Sequence, residues 1–122
     1  MGTNPYMKYQ ENSITTASGP ELTLMLYNGA IKFCNIAIEA IKEKNIQKAH
    51  DNIVKVENII DELRATLNKK YAIALEMDEL YAYIYQLLVE GNFKKDIQKI
   101  EDACMLIRNY RDAWQIAMKA AK

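Results

Sequence analysis

Few residues in this chain have the types and spacing that catalysis or metal binding requires. The single histidine, His50, has no glutamate three residues before it, so the carboxylate and histidine motif of metal-binding bundles is absent. Asp61 and Glu62 are simply neighbours on a solvated face. No Cys or Ser has an evident base, and the glycines form no phosphate-binding loop. The sequence therefore predicts no enzyme activity, no metal site and no cofactor.

The two cysteines are isolated from one another in the sequence. Cys34 and Cys104 each lie within an apolar-periodic stretch, and neither belongs to a paired or metal-ligand spacing. We expect both to be buried small hydrophobic residues of a cytosolic protein and not part of a disulfide framework.

Length and charge limit the class of protein further. A chain of 122 residues is expected to form one domain with a single core. Its 16 Lys and Arg balance 16 Asp and Glu, so no net field favours nucleic acid or an anionic membrane. Because no basic region followed by an apolar stretch occurs at the N-terminus, we expect a cytoplasmic protein that does not insert into a membrane.

The first predicted helix covers roughly residues 20–44. Ser18, Pro20 and Glu21 fit a capping box, with Ser18 as the N-cap and the proline in the first turn. The polar side chains of this helix fall on one narrow stripe, and two apolar faces occupy the rest. A bundle helix needs about three apolar positions in seven, so one face is surplus. Either the helix is central and covered by its own chain, or the surplus face is a groove for a partner helix.

Three more helices are predicted from the same periodicity. Asn45 separates the first helix from the second, which ends near Asn68. The third runs from about Ala72 to Gly91, the residue best suited to a left-handed C-cap, and Asn92 can cap the fourth. Because the connecting loops are short, we expect an all-α, antiparallel up-down four-helix bundle.

The sequence predicts two parts, an N-terminal arm or short helix at residues 1–18 and the bundle at residues 19–122. The arm is too short to be a bundle helix and too apolar to be only a tail. We predict that Tyr6, Tyr9 and Ile14 form a lid that lies in the groove when no partner is present. An ordinary ordered arm is the alternative.

Residues of three helices are candidates for the groove itself. In the first helix, the candidates recur at helical spacing beside the polar stripe, so we expect them to line the groove instead of the core. In the third helix, Tyr81, Tyr83 and Tyr85 spread over about 200° and cannot all face one core. The predicted groove residues are Leu24, Tyr27, Ile31, Ile38, Tyr81, Tyr85, Leu106 and Tyr110.

Short motifs follow one another along the chain in a recognisable order. They are Asn4-Pro5-Tyr6, Tyr9-Gln10, Asn12-Ser13, Thr16-Ala17, Glu21-Leu22-Thr23-Leu24-Met25-Leu26-Tyr27-Asn28-Gly29, Asn58-Ile59-Ile60-Asp61-Glu62-Leu63, Leu80-Tyr81-Ala82-Tyr83-Ile84-Tyr85 and Arg111-Asp112-Ala113-Trp114. In this order they resemble the flagellin-specific export chaperones, the FliS family. Small departures occur at Gly19-Pro20, where the family usually has the proline first, and at Ala82 and Gly91.

The resemblance implies a function that matches the surplus apolar face. Members of this family are cytosolic helical bundles that hold the disordered C-terminal segment of flagellin, prevent its premature polymerisation, and deliver it to the export gate of the flagellar type III secretion apparatus. The implied partners are therefore one flagellin C-terminal segment per chaperone and the export gate, with no nucleotide or metal. A helical subunit that self-associates through the same face is the alternative from the residues alone.

Overall fold

The computed structural model describes residues 19–121, which form four helices. These are α1 (Gly19–Lys42), α2 (Ile46–Ala65), α3 (Ala72–Lys94) and α4 (Ile97–Ala120). Each helix packs against the next along the chain, and α4 closes the ring against α1. This is the predicted antiparallel four-helix bundle. The predictions for Ser18 and for the lid residues fall outside the described residues.

The core is filled from all four helices. Its largest fully buried side chains combine one tyrosine with aliphatic residues and two cysteines: Tyr27, Cys34, Ile53, Val56, Ile60, Leu63, Ile84, Leu88, Ile100, Cys104 and Ile107. The expectation that both cysteines are buried is confirmed.

Helix α1 has both of its apolar faces covered by neighbouring helices. On the α2 side, the ammonium of Lys55 lies 5.0 Å from the ring centroid of Phe33. On the α4 side, Cys34 and Ile38 are buried beside Cys104. By length and composition α1 could span a membrane, a test that the core helix of a soluble bundle also passes. Of the two readings of the surplus face, the central helix covered by its own chain therefore holds for most of α1.

The polar stripe of α1 also contacts α4. Arg108 Nη2 donates a hydrogen bond to Asn35 Oδ1 at 3.1 Å, and Arg111 Nη1 donates to Asn28 Oδ1 at 2.9 Å. The two asparagines lie seven residues apart and share one face of α1. These bonds set the register of α1 against α4 and cover the edge of the apolar interface between them.

The two helical hairpins are joined by the same kind of turn. Lys44 and Lys95 each adopt a left-handed conformation, with φ of 60° and 52°. Asn45 and Asp96 then cap the following helices, accepting hydrogen bonds from the backbone N–H of residues 48 and 98. The α1–α2 and α3–α4 connections are therefore tight antiparallel reversals.

The predicted C-cap at Gly91 is wrong. Helix α3 continues through Gly91 to Lys94, and the left-handed residue is Lys95. A Cβ at Gly91 would lie 2.6 Å from Ile100 Cδ1, so this glycine allows α3 to approach α4 closely. The amide of Asn92 is within hydrogen-bond distance of His50 Nδ1, at 3.0 Å, and does not cap α4.

A bidentate ion pair ties the end of α2 to the start of α3. Arg64 Nε and Nη2 donate to the two carboxylate oxygens of Asp78 at 2.8 and 3.3 Å. Lys69, in the connecting loop, lies 3.9 Å from the same carboxylate. The pair fixes the short α2–α3 connection. The sequence predicted this loop at Asn68 to Tyr71; in the structure α2 ends at Ala65 and α3 begins at Ala72, a difference of the size that helix ends usually show.

Candidate functional site

The eight predicted groove residues do not form one surface. Tyr27 and Ile38 are buried in the core, so the expectation that these two α1 residues line the groove instead of the core is wrong, and the groove candidate Tyr81 is buried as well. For Tyr27 and Ile38 the reason is the position of α1 between α2 and α4. Four others are partly buried and pack at the edge of the core: Ile31, Tyr85, Leu106 and Tyr110. Leu24 is also partly buried on α1.

The exposed apolar side chains are concentrated on α3. Six of the ten exposed large apolar residues in the described part of the chain lie on this helix. They are Ile73, Leu75, Leu80, Tyr83, Val89 and Phe93. The spread of tyrosine directions in α3 gave the only sequence signal for this, and the expectation that the three tyrosines cannot all face one core is confirmed: Tyr83 is 53% exposed, whereas Tyr81 is buried.

Two contacts define how α3 and α4 align. Lys99 Nζ lies 3.0 Å from a carboxylate oxygen of Glu90, and the rings of Tyr81 and Tyr110 meet edge to face with centroids 6.0 Å apart. Because the helices are antiparallel, a step of seven residues back from Glu90 on α3 matches a step of seven residues forward from Lys99 on α4. Seven residues are two helical turns, so positions 83 and 106 lie on the same helix faces as Glu90 and Lys99.

This register places four apolar residues together. By this register Tyr83 of α3 is expected opposite Leu106 of α4, and Leu80 within one residue of the position opposite Tyr110. Leu80 and Tyr83 are exposed, and Leu106 and Tyr110 are partly buried against the core. We call these four residues the α3–α4 apolar surface. The phenol of Tyr110 is also partly desolvated, and burial raises its pKa.

A separate cleft of about 470 Å³ opens at the end of the bundle where α1 begins. Trp114 Nε1 donates a hydrogen bond of 2.9 Å to the backbone oxygen of Pro20 at its rim. The hydroxyls of Tyr27 and Tyr81 hydrogen-bond to each other, and burial raises the pKa of both phenols. The cleft lining is mostly apolar and includes Gly19, Pro20, Leu22, Thr23, Tyr27, Leu63, Leu67, Met77, Tyr81 and Trp114.

The described residues offer little for metal chemistry. Within residues 19–121, no group of three or more His, Cys, Asp or Glu side chains is arranged to hold a metal ion. His50 is exposed and pairs with an asparagine amide. What this part of the molecule does offer is apolar surface with hydroxyl-bearing aromatic side chains, which suits binding a polypeptide.

Comparison with known proteins gives consistent results over nearly the whole chain. The sequence model of the family described as "Flagellar protein FliS" matches residues 2–121. The chain is 40% identical to the flagellar secretion chaperone FliS of Bacillus subtilis over 119 residues, which cover 98% of this chain and 90% of that protein. The FliS chaperone of Salmonella typhimurium is 32% identical over 115 residues, covering 91% and 85% of the two chains.

A solved structure agrees with the fold. The protein described as "Crystal structure of flagellar chaperone from bacteria" superposes with a TM-score of 0.77 at 19% identity, covering 94% of this chain and 95% of that one. At this identity the likeness shows the fold alone, whereas the family match and the Bacillus relative reach the sequence itself. This chain belongs to the FliS family of flagellar secretion chaperones.

Proposed function

We propose that this protein is a cytosolic type III export chaperone that binds the disordered C-terminal segment of flagellin, prevents its premature polymerisation and delivers it to the flagellar export gate. Membership of a family of flagellar secretion chaperones supports the class of function. The observation that carries the proposal is the α3–α4 apolar surface, in which exposed Leu80 and Tyr83 continue into partly buried Leu106 and Tyr110, because an apolar patch of this kind marks a place where a partner binds.

The chemistry of that surface fits an amphipathic helix as the partner. Leu80 and Tyr83 are three residues apart on α3, and Leu106 and Tyr110 are four residues apart on α4, so both pairs run along their helices. Two such rows side by side can accept the apolar stripe of an amphipathic helix. A flagellin terminal segment forms helical contacts in the filament, so as a free chain it exposes an apolar stripe that this surface can cover.

The tyrosine hydroxyls favour reversible binding. Each ring contributes apolar area, while its hydroxyl stays hydrated or hydrogen-bonded when the partner leaves. Folding of the client onto the chaperone costs ordering entropy, which offsets part of the gain from burial. We therefore expect a dissociation constant between roughly micromolar and nanomolar.

The partly exposed residues outside this surface remain proposed contacts. Leu24 and Ile31 on α1 and Tyr85 on α3 each keep part of the side chain accessible to a client. We assign the buried groove candidates a supporting role. Tyr81, for example, packs edge to face against the ring of Tyr110 from the core side and so helps to hold it in place.

We also propose that the arm acts as a lid. The arm precedes Gly19 and Pro20, which line the end cleft together with Trp114, and Trp114 is one helical turn from Tyr110 of the α3–α4 apolar surface. Ile14 is five residues from Gly19, a reach of up to about 17 Å, so we propose that Ile14, Tyr9 and Tyr6 cover the client surface in the free protein and compete with the client for it. Deleting residues 1–17 should leave the helical circular dichroism signal intact and change client affinity. Unchanged affinity would show a passive tail.

Calorimetry with a flagellin peptide tests the function. A peptide of about 40 residues from a flagellin C-terminus should bind one to one, with a gain in helix content and a negative heat-capacity change from apolar burial. The same peptide with its apolar stripe replaced by serines should not bind. Absence of heat, helix gain and co-elution at tens of micromolar would contradict the proposal.

Charge substitutions locate the binding surface. Tyr83→Glu and Leu106→Glu should each weaken binding at least tenfold while keeping a cooperative thermal transition, because a charge would have to be desolvated beneath the client. Ile31→Glu should do the same if the client extends onto α1. Met105→Glu is the matched control, since Met105 is exposed on α4 but lines the cleft on the α1 side. Equal losses in the Leu106 and Met105 variants would place the client elsewhere.

Self-association through the α3–α4 apolar surface is the competing function. It predicts a mass that increases with protein concentration in the absence of client and returns to the monomer value in Tyr83→Glu. A constant monomer mass up to about 100 µM, together with peptide binding, supports the chaperone function instead.

A further inference from the structure

Two thiols meet in the interface between α1 and α4, and the proposed function uses neither. Cys34 of α1 is fully buried, Cys104 of α4 is 1% exposed, and both are free. Cys104 Sγ donates a hydrogen bond of 4.0 Å to Oδ1 of Asn35, the residue that follows Cys34, and the two thiols are close enough to shift each other's pKa. In a helix interface this brings together two residues that are 70 positions apart in the sequence.

The surroundings of the two thiols differ. Cys104 borders an open cleft of about 370 Å³ between α1 and α4, whereas Cys34 lies behind it in the core. The other residues lining this cleft are mostly polar: Asn35, Ile38, Glu39, Lys42, Glu101, Met105 and Arg108. A small polar molecule in the cleft therefore reaches Cys104 first.

The charges around the pair also separate their roles. The interaction with the Cys34 thiol and the guanidinium groups of Arg108 and Arg111 lower the pKa of Cys104 to about 7, against the opposing effects of burial and of the Glu101 carboxylate. The interaction with the Cys104 thiol and complete burial raise the pKa of Cys34. Arg108 is held in place by its own hydrogen bond to Asn35.

We propose that Cys104 and Cys34 form a peroxide-reactive dithiol, in which Cys104 attacks hydrogen peroxide from the cleft and Cys34 then closes a disulfide between α1 and α4. The proposal rests on two adjacent thiols, one of them at the floor of a cleft beside a fixed arginine. It is independent of the flagellin-binding function.

The reaction balances in two steps. The Cys104 thiolate attacks one peroxide oxygen, the O–O bond breaks, and hydroxide leaves. Sulfur is oxidised to the sulfenic acid while peroxide is reduced. Cys34 gives its proton to the hydroxide, which becomes water, and its sulfur attacks Cys104. The S–S bond forms, the S–O bond breaks and the second oxygen leaves as hydroxide, which becomes water by taking up the proton that the Cys104 thiol released when it ionised. Overall, two thiols and one peroxide give one disulfide and two waters.

The disulfide has a measurable consequence for the bundle. It would close a long loop that includes all of α2 and α3, which restricts the unfolded chain most. We expect the oxidised protein to have a melting temperature about 10 °C higher than the reduced one. Dithiothreitol should reverse the change.

Mass spectrometry of the full-length protein tests the proposal directly. After treatment with equimolar hydrogen peroxide, the intact mass should fall by about 2 Da, both thiols should disappear in a thiol assay under denaturing conditions, and peptide mapping should find residues 34 and 104 joined. A mass gain of one oxygen without a disulfide, disulfides only between chains, or two free thiols remaining would each overturn the proposal.

Single substitutions separate the two roles. Cys34→Ala should leave Cys104 reactive but stop at the sulfenic acid, which dimedone traps, whereas Cys104→Ala should leave Cys34 unreactive. The opposite pattern would overturn the assignment of roles. Arg108→Gln should slow peroxide consumption several-fold and Arg108→Lys should largely restore it, while a purely structural role for Arg108 predicts equal rates in both.

Discussion

Helices α1 and α3 have similar lengths and the same two neighbours, yet α1 buries its large apolar side chains wholly or partly whereas α3 leaves several of them exposed. The chain has two phenylalanines, one on each helix: Phe33 of α1 is 6% exposed, and Phe93 of α3 is 85% exposed. On α1 the outward-facing positions are kept polar, and that stripe bonds to α4. On α3 apolar and charged residues alternate on the outward face. The arrangement of the polar residues, more than the number of apolar ones, determines which helix presents a binding surface.

The largest test of this difference uses the same substitution on both helices. Phe33→Ala should lower the free energy of unfolding by about 3–5 kcal/mol, because it leaves a cavity in the core. Phe93→Ala should change it by no more than about 0.5 kcal/mol, because the ring is already in solvent. Urea denaturation followed by circular dichroism gives both values. Similar losses would mean that the two helices are buried to a similar extent.

The hydrogen bond between Tyr27 and Tyr81 links α1 directly to α3 across the bundle. Tyr81→Phe should cost about 1–2 kcal/mol of stability, since it leaves the buried Tyr27 hydroxyl without this partner. The double variant with Tyr27→Phe should cost less than the sum of the two single variants, because it removes both hydroxyls together. A double-mutant cycle in urea measures the coupling, and strict additivity would rule out an energetically important bond.

The glycines of the two helices should also respond differently. Gly29→Ala on α1 should stabilise by about 0.5–1 kcal/mol, since the new Cβ makes an ordinary contact of 3.5 Å with Ile59 Cδ1. Gly91→Ala on α3 should destabilise by about 1 kcal/mol, because the clash with Ile100 exceeds the gain in helix propensity. Ile100→Val removes the atom at 2.6 Å, so adding Gly91→Ala to it should cost less than in the wild type, while the tight contacts of 3.1 Å to Cγ1 and 3.3 Å to Lys99 Cβ remain. Thermal denaturation of the four variants decides this.

The smallest expected effect concerns the ion pair that anchors the start of α3. The hydrogen bonds from Arg64 hold the pKa of the Asp78 carboxyl below its ordinary value. A carboxyl with a lowered folded pKa stabilises the fold fully above its unfolded pKa of about 4 and loses that contribution as the pH falls further. The stability difference between the wild type and Asp78→Asn should therefore be largest above pH 5 and shrink below pH 4. A difference that stays constant with pH would show that the charge of Asp78 contributes nothing.

Much of the fold follows from local patterns in the sequence. Helical periodicity, Pro20 in the first turn and Asn45 between two helices depend on interactions within a few residues, and the structure has these features. Gly91 misled the prediction because its conformational freedom fits a C-cap, while its actual role depends on Ile100 of another helix. The lysines in left-handed turns were missed because lysine carries no strong signal for that conformation.

The sequence was less able to locate the binding surface than to predict the fold. The sequence by itself determined that the chain makes four helices, that they form an up-down bundle, and that the apolar residues exceed what one core requires. Which of them remain exposed was decided by packing: the two flanks of α1 are covered by α2 and α4, so Tyr27 and Ile38 became core, and the excess remained on α3. Periodicity gives the direction of each side chain from its own helix axis, but only the arrangement of the four axes determines which directions lead to solvent.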